Sequence, residues 1–193
     1  MSPAIPPGTA DRLVTLDHLV TLEEWENDWS QREENYEFVD GQPLMVPGEH
    51  PYNLSAATRL AITLWRVLGD DWDYLPSPGL LIRQVPLTVR HPDLALVPPG
   101  AELDRNPLNP AAVVLVVENL SPSTRAEDLG RKRHEYASAG IPNYLIVDHH
   151  ASPWLTLLTD PADGDYRATA SGHQVTLRLA DREILLRAAD FMR

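Results

Sequence analysis

The chain is expected to form a mixed α/β (α+β) domain, a central mixed sheet flanked by helices, and three observations lead there. Two short aliphatic runs, Pro92-Asp93-Leu94-Ala95-Leu96-Val97 and Ala112-Val113-Val114-Leu115-Val116-Val117-Glu118, are bounded by Pro, Gly or Asn, as buried strands are. A third run, Asn143-Tyr144-Leu145-Ile146-Val147-Asp148, follows a helical stretch from Arg125 to Ala139. Strand, helix, strand in that order implies a crossover and a parallel pair.

Each remaining element has its own signal. The tail, with Pro3, Pro6, Pro7 and Gly8, carries no periodicity, and residues 1–20 are assigned to a flexible N-terminal extension with 21–193 as one domain. Thr21 and Glu24 have capping-box spacing and open a short helix that puts Trp25 and Trp29 on one face. Alternation on both sides of Asp40-Gly41, from Tyr36 to Val46, predicts a hairpin with Glu37 on its polar face, as solvated surface or as a third carboxylate near the site. Leu54, Ala57, Leu60, Ala61, Leu64, Trp65 and Leu68 keep helical spacing up to Gly69, and His50 stands at the start of that helix. Extended segments follow over 72–76, 80–84 and 85–90. The proline-rich 98–110 stretch reads as a surface loop. Thr124 and Glu127 then have capping-box spacing, and Leu129 and Ala137 are expected to face the sheet, with Arg131 and Glu135 more exposed. Trp154 to Thr159, Tyr166 to Ala170 and Gln174 to Leu179 read as a meander with turns at Asp163-Gly164 and Ser171-Gly172, and a helix over 187–192 closes the chain.

Composition limits the functions open to such a domain. The 193 residues suffice for one ordinary core, and 43% hydrophobic with 23% charged residues are globular values. No cysteine is present, so disulfides and thiolate zinc sites are excluded and any metal must be held by oxygen or imidazole. No apolar run of about 18 residues could span a bilayer, and no basic-then-apolar leader opens the sequence. A cytoplasmic protein with no membrane partner is therefore expected. A net charge of −12 argues against a protein that coats nucleic acid through its phosphates. Arg125, Arg131, Lys132 and Arg133 nevertheless cluster on the central helix and predict a local basic strip.

Asp93 and Glu118 end neighbouring apolar runs, and carboxylates so placed make the oxygen-rich kind of pocket that holds Mg²⁺ while leaving waters for substrate. Lys132 shares a helix face with Asp128 and Tyr136, each four residues away. Of sixteen Lys plus Arg, fifteen are Arg and Lys132 alone is Lys. A compact ammonium can bind one oxygen or shift its pKa when desolvated, which guanidinium cannot. A lysine beside two carboxylates can orient or deprotonate a water and offset charge on a phosphate, so the set suits phosphodiester hydrolysis. An exposed Lys132–Asp128 pair without function is the competing reading.

These residues resemble the PD-(D/E)XK nuclease superfamily and, within it, the bacterial Uma-type group of endonucleases. The likeness runs from about Thr21 to Leu179. It rests on Tyr36-Glu37-Phe38-Val39-Asp40-Gly41, His50, Pro92-Asp93, Val117-Glu118-Asn119-Leu120-Ser121-Pro122-Ser123-Thr124, Asp128, Lys132, Tyr136, and Gly140-Ile141-Pro142-Asn143-Tyr144 before Asp148. The resemblance implies a restriction-endonuclease-like fold and a Mg²⁺-dependent DNA endonuclease, with Mn²⁺ as substitute metal, DNA before RNA as substrate, and a homodimer as a compatible assembly. It assigns Asp93, Glu118 and the backbone carbonyl of Asn119 to the metal. Leu120 stands where the superfamily's usual lysine would be, and the vacant role falls to Lys132, with Glu37 as an auxiliary acid. A nucleic-acid-associated or interaction module that keeps the fold without efficient cleavage is the alternative, and a hydrolase of another substrate is a third option.

Overall fold

The computed structural model describes residues 14, 16–33, 36–46, 50–122, 124–150, 152, 154–179 and 181–192. The stretch read as a loose tail, residues 1–9, lies outside them. Within residues 14–20, the N–H of Val20 donates to the Gly41 carbonyl at 2.8 Å and Val20 is buried.

Helix α1 (Leu22–Asn27) starts at the expected box: Thr21 caps the Glu24 N–H while the Glu24 carboxylate takes the Thr21 N–H. Its Trp25 is buried, and Trp29 packs edge-on against Tyr36 and Phe38. Strands β1 (Tyr36–Val39) and β2 (Gln42–Met45) form the hairpin. Both turn residues have positive φ, 52° at Asp40 and 80° at Gly41, the twist-matched geometry that an Asp-Gly pair serves. Helix α2 (Pro51–Leu68) is capped by His50, whose Nδ1 accepts the Tyr52 N–H. Strands β3 (Asp73–Pro76), β4 (Leu80–Arg83), β5 (Thr88–Arg90) and β6 (Leu94–Val97) follow. The 98–110 loop is pinned where Leu108 bridges to Leu80. Strand β7 (Leu115–Asn119) leads into a π-helical turn, Glu127–Arg131, and helix α3 (Lys132–Ser138). Strands β8 (Asn143–Val147), β9 (Leu155–Ala162), β10 (Asp165–Gly172), β11 (Gln174–Leu179) and β12 (Arg182–Arg187) precede helix α4 (Ala188–Phe191).

The fold is mixed α+β, as expected, with strands β6, β7 and β8 at the middle of a six-stranded sheet ordered β10-β9-β8-β7-β6-β3. In this sheet β7 and β8 run parallel, joined through α3, and the other described neighbours run antiparallel. Side chains alternate across this sheet. Leu94, Leu96, Leu115, Val117, Leu145 and Val147 join one apolar cluster with α2 and the β11–β12 hairpin. Ala95, Val97, Val116, Tyr144 and Ile146 join another with Tyr136 and Ala137 of α3. Burial on both faces explains why these strands read as unbroken aliphatic runs.

The extended segments before Pro92 divide between two sheets: β3 joins the central one, while β4 and β5 join the β1–β2 hairpin in a second sheet ordered β2-β1-β5-β4, over a core of Val20, Trp25, Phe38, Leu87 and Val89. Several expectations need correction. Strand β11 pairs with β12 rather than with the meander, because Ile184 and Leu186 alternate inward, and the last helix is correspondingly shorter. Gly172 lies within β10, so the second turn falls one residue later. The helix after β7 is capped not by Thr124 and Glu127 but by Ser121 and Thr124, whose hydroxyls accept each other's backbone N–H. Leu129 is 41% exposed, because the wider π turn rotates it outward while Asp128 and Lys132 turn in. Glu135 is largely enclosed, since it pairs with a buried arginine.

Candidate functional site

The period of the strands brings the site together. Glu118 has the parity of Val116, and Asp93 that of Ala95 and Val97, so both point to the face covered by α3. Because β6 and β7 are antiparallel, with Leu94 opposite Val117, the start of one meets the end of the other. Asp93 Oδ2 accepts the Asn119 backbone N–H at 2.6 Å and its Nδ2 at 2.9 Å. The Asn119 carbonyl takes a long 3.4 Å hydrogen bond from Asn53 Nδ2 of α2.

Lys132 Nζ lies 2.9 Å from Glu118 Oε1, 3.1 Å from Glu37 Oε1 and 3.2 Å from Asp128 Oδ1. The Lys132–Asp128 contact of the bland reading therefore exists, but as one arm of a buried cluster: Lys132 is 6% exposed and Asp128 1%. Tyr136 donates its hydroxyl to Glu118 Oε1 at 2.7 Å, and Tyr144 to the Asp128 carbonyl at 2.9 Å. Glu37 is not solvated surface. It is 5% exposed, and its inward turn follows from the second sheet, which lays β1 against the site. Leu120 is buried among apolar side chains and offers no charge.

A cation that the sequence reading missed stands behind this cluster. Arg90 is fully enclosed and engages three carboxylates: Nη1 to Glu37 at 2.8 Å, Nη2 to Glu127 at 2.7 Å and Nε to Glu135 at 2.6 Å. An arginine closing a strand reads as polar surface, so no sequence signal marked it.

Electrostatics divide the acids into two kinds. Burial alone would push the Glu37 carboxyl up, yet Lys132 and Arg90 hold it well below the usual carboxylate range. Glu118 is pushed up, first by burial and further by Asp128, Asp93 and Glu37, against the pull of Lys132. Asp93 is also raised by burial, despite its two hydrogen bonds from Asn119. Burial would lower Lys132, but Glu118, Glu37 and Asp128 together raise it well above an ordinary lysine, so it is an ammonium. The shift available to a desolvated lysine thus runs upward.

These groups line a groove of about 60 Å³, with Asn53, His91, Ser121, Thr124 and Glu127 on its walls, room for a few waters or one partly hydrated ion. A wider depression of about 470 Å³ lies beside Trp29, where Arg32 pairs with Asp28 and His18 with Glu24. The basic strip expected on the central helix is neutralised: Arg125 pairs with Asp148, Arg131 with Asp40 and Glu135, and Arg133 with Asp165.

The oxygen donors fit a divalent cation. Asp93 and Glu118 are carboxylates whose proton affinity is raised, the condition that a bound 2+ charge would relieve, and the Asn119 carbonyl adds a neutral oxygen. Among the described residues no three or more Asp, Glu and His side chains form a ligand cluster. A cation there would keep much of its water, as Mg²⁺ does.

A mixed sheet with two carboxylates at adjoining strand ends and a buried lysine on the covering helix defines an α+β domain with an acidic groove, and the fold is shared with a solved protein. A crystal structure of a putative nuclease of the DUF820 group from Anabaena variabilis superposes with a TM-score of 0.65 at 12% identity, over 89% of this chain and 97% of that one. The chain belongs to the Uma2 family, described as "Putative restriction endonuclease", whose model matches residues 19–185. No curated protein matches it.

Proposed function

We propose that the chain is a Mg²⁺-dependent DNA endonuclease of the PD-(D/E)XK type, acting in the cytoplasm and accepting Mn²⁺ in place of Mg²⁺. The observation that carries the reading is the enclosed Lys132 ammonium on the Glu118 carboxylate, with Asp93 at the adjoining strand end. Asp93, Glu118 and the Asn119 carbonyl would hold the cation, which when bound polarises water and stabilises the charge of an in-line displacement at phosphorus. The three carboxylates around Lys132 favour its ammonium form, so its part is to donate a hydrogen bond to water or to a phosphate oxygen and to offset charge there. Tyr136 fixes one oxygen of Glu118, and Asn119 fixes one of Asp93, so both carboxylates keep their orientation. Glu37 acts as the auxiliary acid that holds Lys132.

The test is cleavage of plasmid, linear duplex and single-stranded DNA, and of RNA, with Mg²⁺, with Mn²⁺ and with chelator. Metal-dependent scission of DNA abolished by Asp93→Asn is expected, and a pure protein that binds the metal but cuts none of these would refute the reading. A nucleic-acid-associated module with little cleavage is the second reading. What favours it is the net charge of −12 together with the pairing of the arginines around the groove.

A further inference from the structure

Arg90 is the most deeply enclosed charged side chain among the described residues, and none of the chemistry proposed above uses it. Each of its three nitrogens meets a different carboxylate, spread along the edges of one planar fork. Two of those arms, to Glu127 and Glu135, tie the second sheet to the helix on either side of Lys132. The third does something a tie between layers does not require. It grips Glu37 by Oε2, and Glu37 Oε1, which also takes the His91 N–H at 3.3 Å, lies 3.1 Å from Lys132 Nζ. A carboxylate is rigid and planar, so holding one oxygen and seating the other on a backbone N–H settles where the second oxygen stands. The lysine stem is flexible, and its ammonium goes where the carboxylates put it.

We propose that Arg90 is the positioning residue for Lys132, acting through Glu37 to set where the ammonium stands beside Glu118. The proposal rests on the reading of Lys132 as the working cation of the site and extends it to a residue on the other sheet. The order of contact is Arg90, Glu37, Lys132, Glu118, each step within 3.1 Å.

A single lysine makes the test direct. Protein labelled with ¹⁵N in the lysine side chain gives one ammonium signal, that of Lys132, whose position and solvent exchange report its hydrogen bonds with no substrate or metal present. In the wild type the signal should exchange slowly. Both Arg90→Gln and Glu37→Gln should move it and speed exchange by about tenfold or more, the loss of one charged hydrogen bond. Arg90→Gln in the Glu37→Gln background should add no further shift, because the path is already cut. Glu135→Gln, which keeps an acceptor for Arg90 and leaves the Glu37 arm whole, should leave the signal in place. An unmoved signal in folded Glu37→Gln protein overturns the proposal even if Arg90→Gln fails to fold. So does a Glu135→Gln shift as large as that of Arg90→Gln, which would mark a general tie between layers. On a cleaving enzyme, Arg90→Gln should lower kcat by about tenfold or more with KM nearly unchanged. If the wild type cuts nothing while the signal behaves as described, the positioning stands and the nuclease reading falls.

Discussion

Lys132 keeps a compact ammonium within 3.2 Å of three carboxylates, a geometry that a planar guanidinium cannot copy without displacing one of them. Lys132→Arg should therefore retain metal binding while cleavage falls at least about tenfold, or about 1.4 kcal/mol in the barrier. Calorimetry and rate measurement on one preparation check both halves. Lys132→Met leaves Glu118, Glu37 and Asp128 facing one another, and the fold should lose about 3–5 kcal/mol in urea melts. Asp93 runs the opposite way. Its folded pKa is raised, so its charge destabilises the metal-free fold above that value, and the penalty vanishes as pH falls below the ordinary carboxyl range. Asp93→Asn should thus raise the metal-free melting temperature near neutral pH, lose that advantage in acid, and no longer gain stability from Mg²⁺ or Mn²⁺. A variant whose melting still rises with metal would remove Asp93 from the ligand set. Glu37 has a lowered folded pKa, so its contribution is whole above the ordinary carboxyl range and is lost as pH falls through the folded value. Wild type should consequently lose stability in acid, and Glu37→Gln should flatten that limb.

Among the elements, the hairpin and the π turn do the positioning. Gly41 sits at φ 80°, and a Cβ there would stand 2.8 Å from Leu19 Cβ. Gly41→Ala should cost about 1–2 kcal/mol from the left-handed conformation, with more from that contact, and should loosen Glu37 with the hairpin. Denaturant melts measure the first effect, and the exchange rate of the Lys132 ammonium the second. The hairpin was legible in the sequence, since Asp-Gly between alternating residues specifies both turn and register. The three central strands were legible for a different reason: burial on both faces leaves nothing but aliphatic residues. The inward turn of Glu37 was not, because alternation tells which residues share a face but not that a second sheet will cover it. The π turn left no mark either. A helix pattern fixes spacing at about 3.6 residues per turn, so Asp128 and Lys132 could be placed together while Leu129 was turned the wrong way. Asp93, Glu118 and Lys132 were singled out by residue type and position, and the structure sets Lys132 on Glu118 with Asp93 at the adjoining strand end. Arg90 was hidden because its three partners lie on β1 and on the helix beyond β7, distances along the chain that no local pattern spans.

At the scale of the whole molecule, an acidic protein is assigned a polyanionic substrate. The arginines beside the groove are each matched to an acid, so few phosphates can be neutralised by the protein itself. DNA affinity measured without metal should be weak and should change little with salt, far less than the roughly thousandfold loss between moderate and physiological salt expected of six phosphate contacts. Added Mg²⁺ should strengthen binding at constant ionic strength. A steep salt dependence without metal would point to a cationic surface elsewhere on the chain.

The loop over 98–110 joins β6 to β7, and every group of the site lies on one side of it or the other. Glu37, Arg90 and Asp93 come before it; Glu118, Asp128, Lys132 and Tyr136 come after. Neither portion owns the whole constellation: the first has an arginine and acids but no ammonium, the second an ammonium with two of its three carboxylates. A polypeptide leaving the ribosome would hold no complete cluster until both portions had been made and docked. Two separately produced fragments, severed within that loop, would each lack the cluster and complete it only on reunion, which makes the connection a natural place to install a dimerisation-controlled trigger.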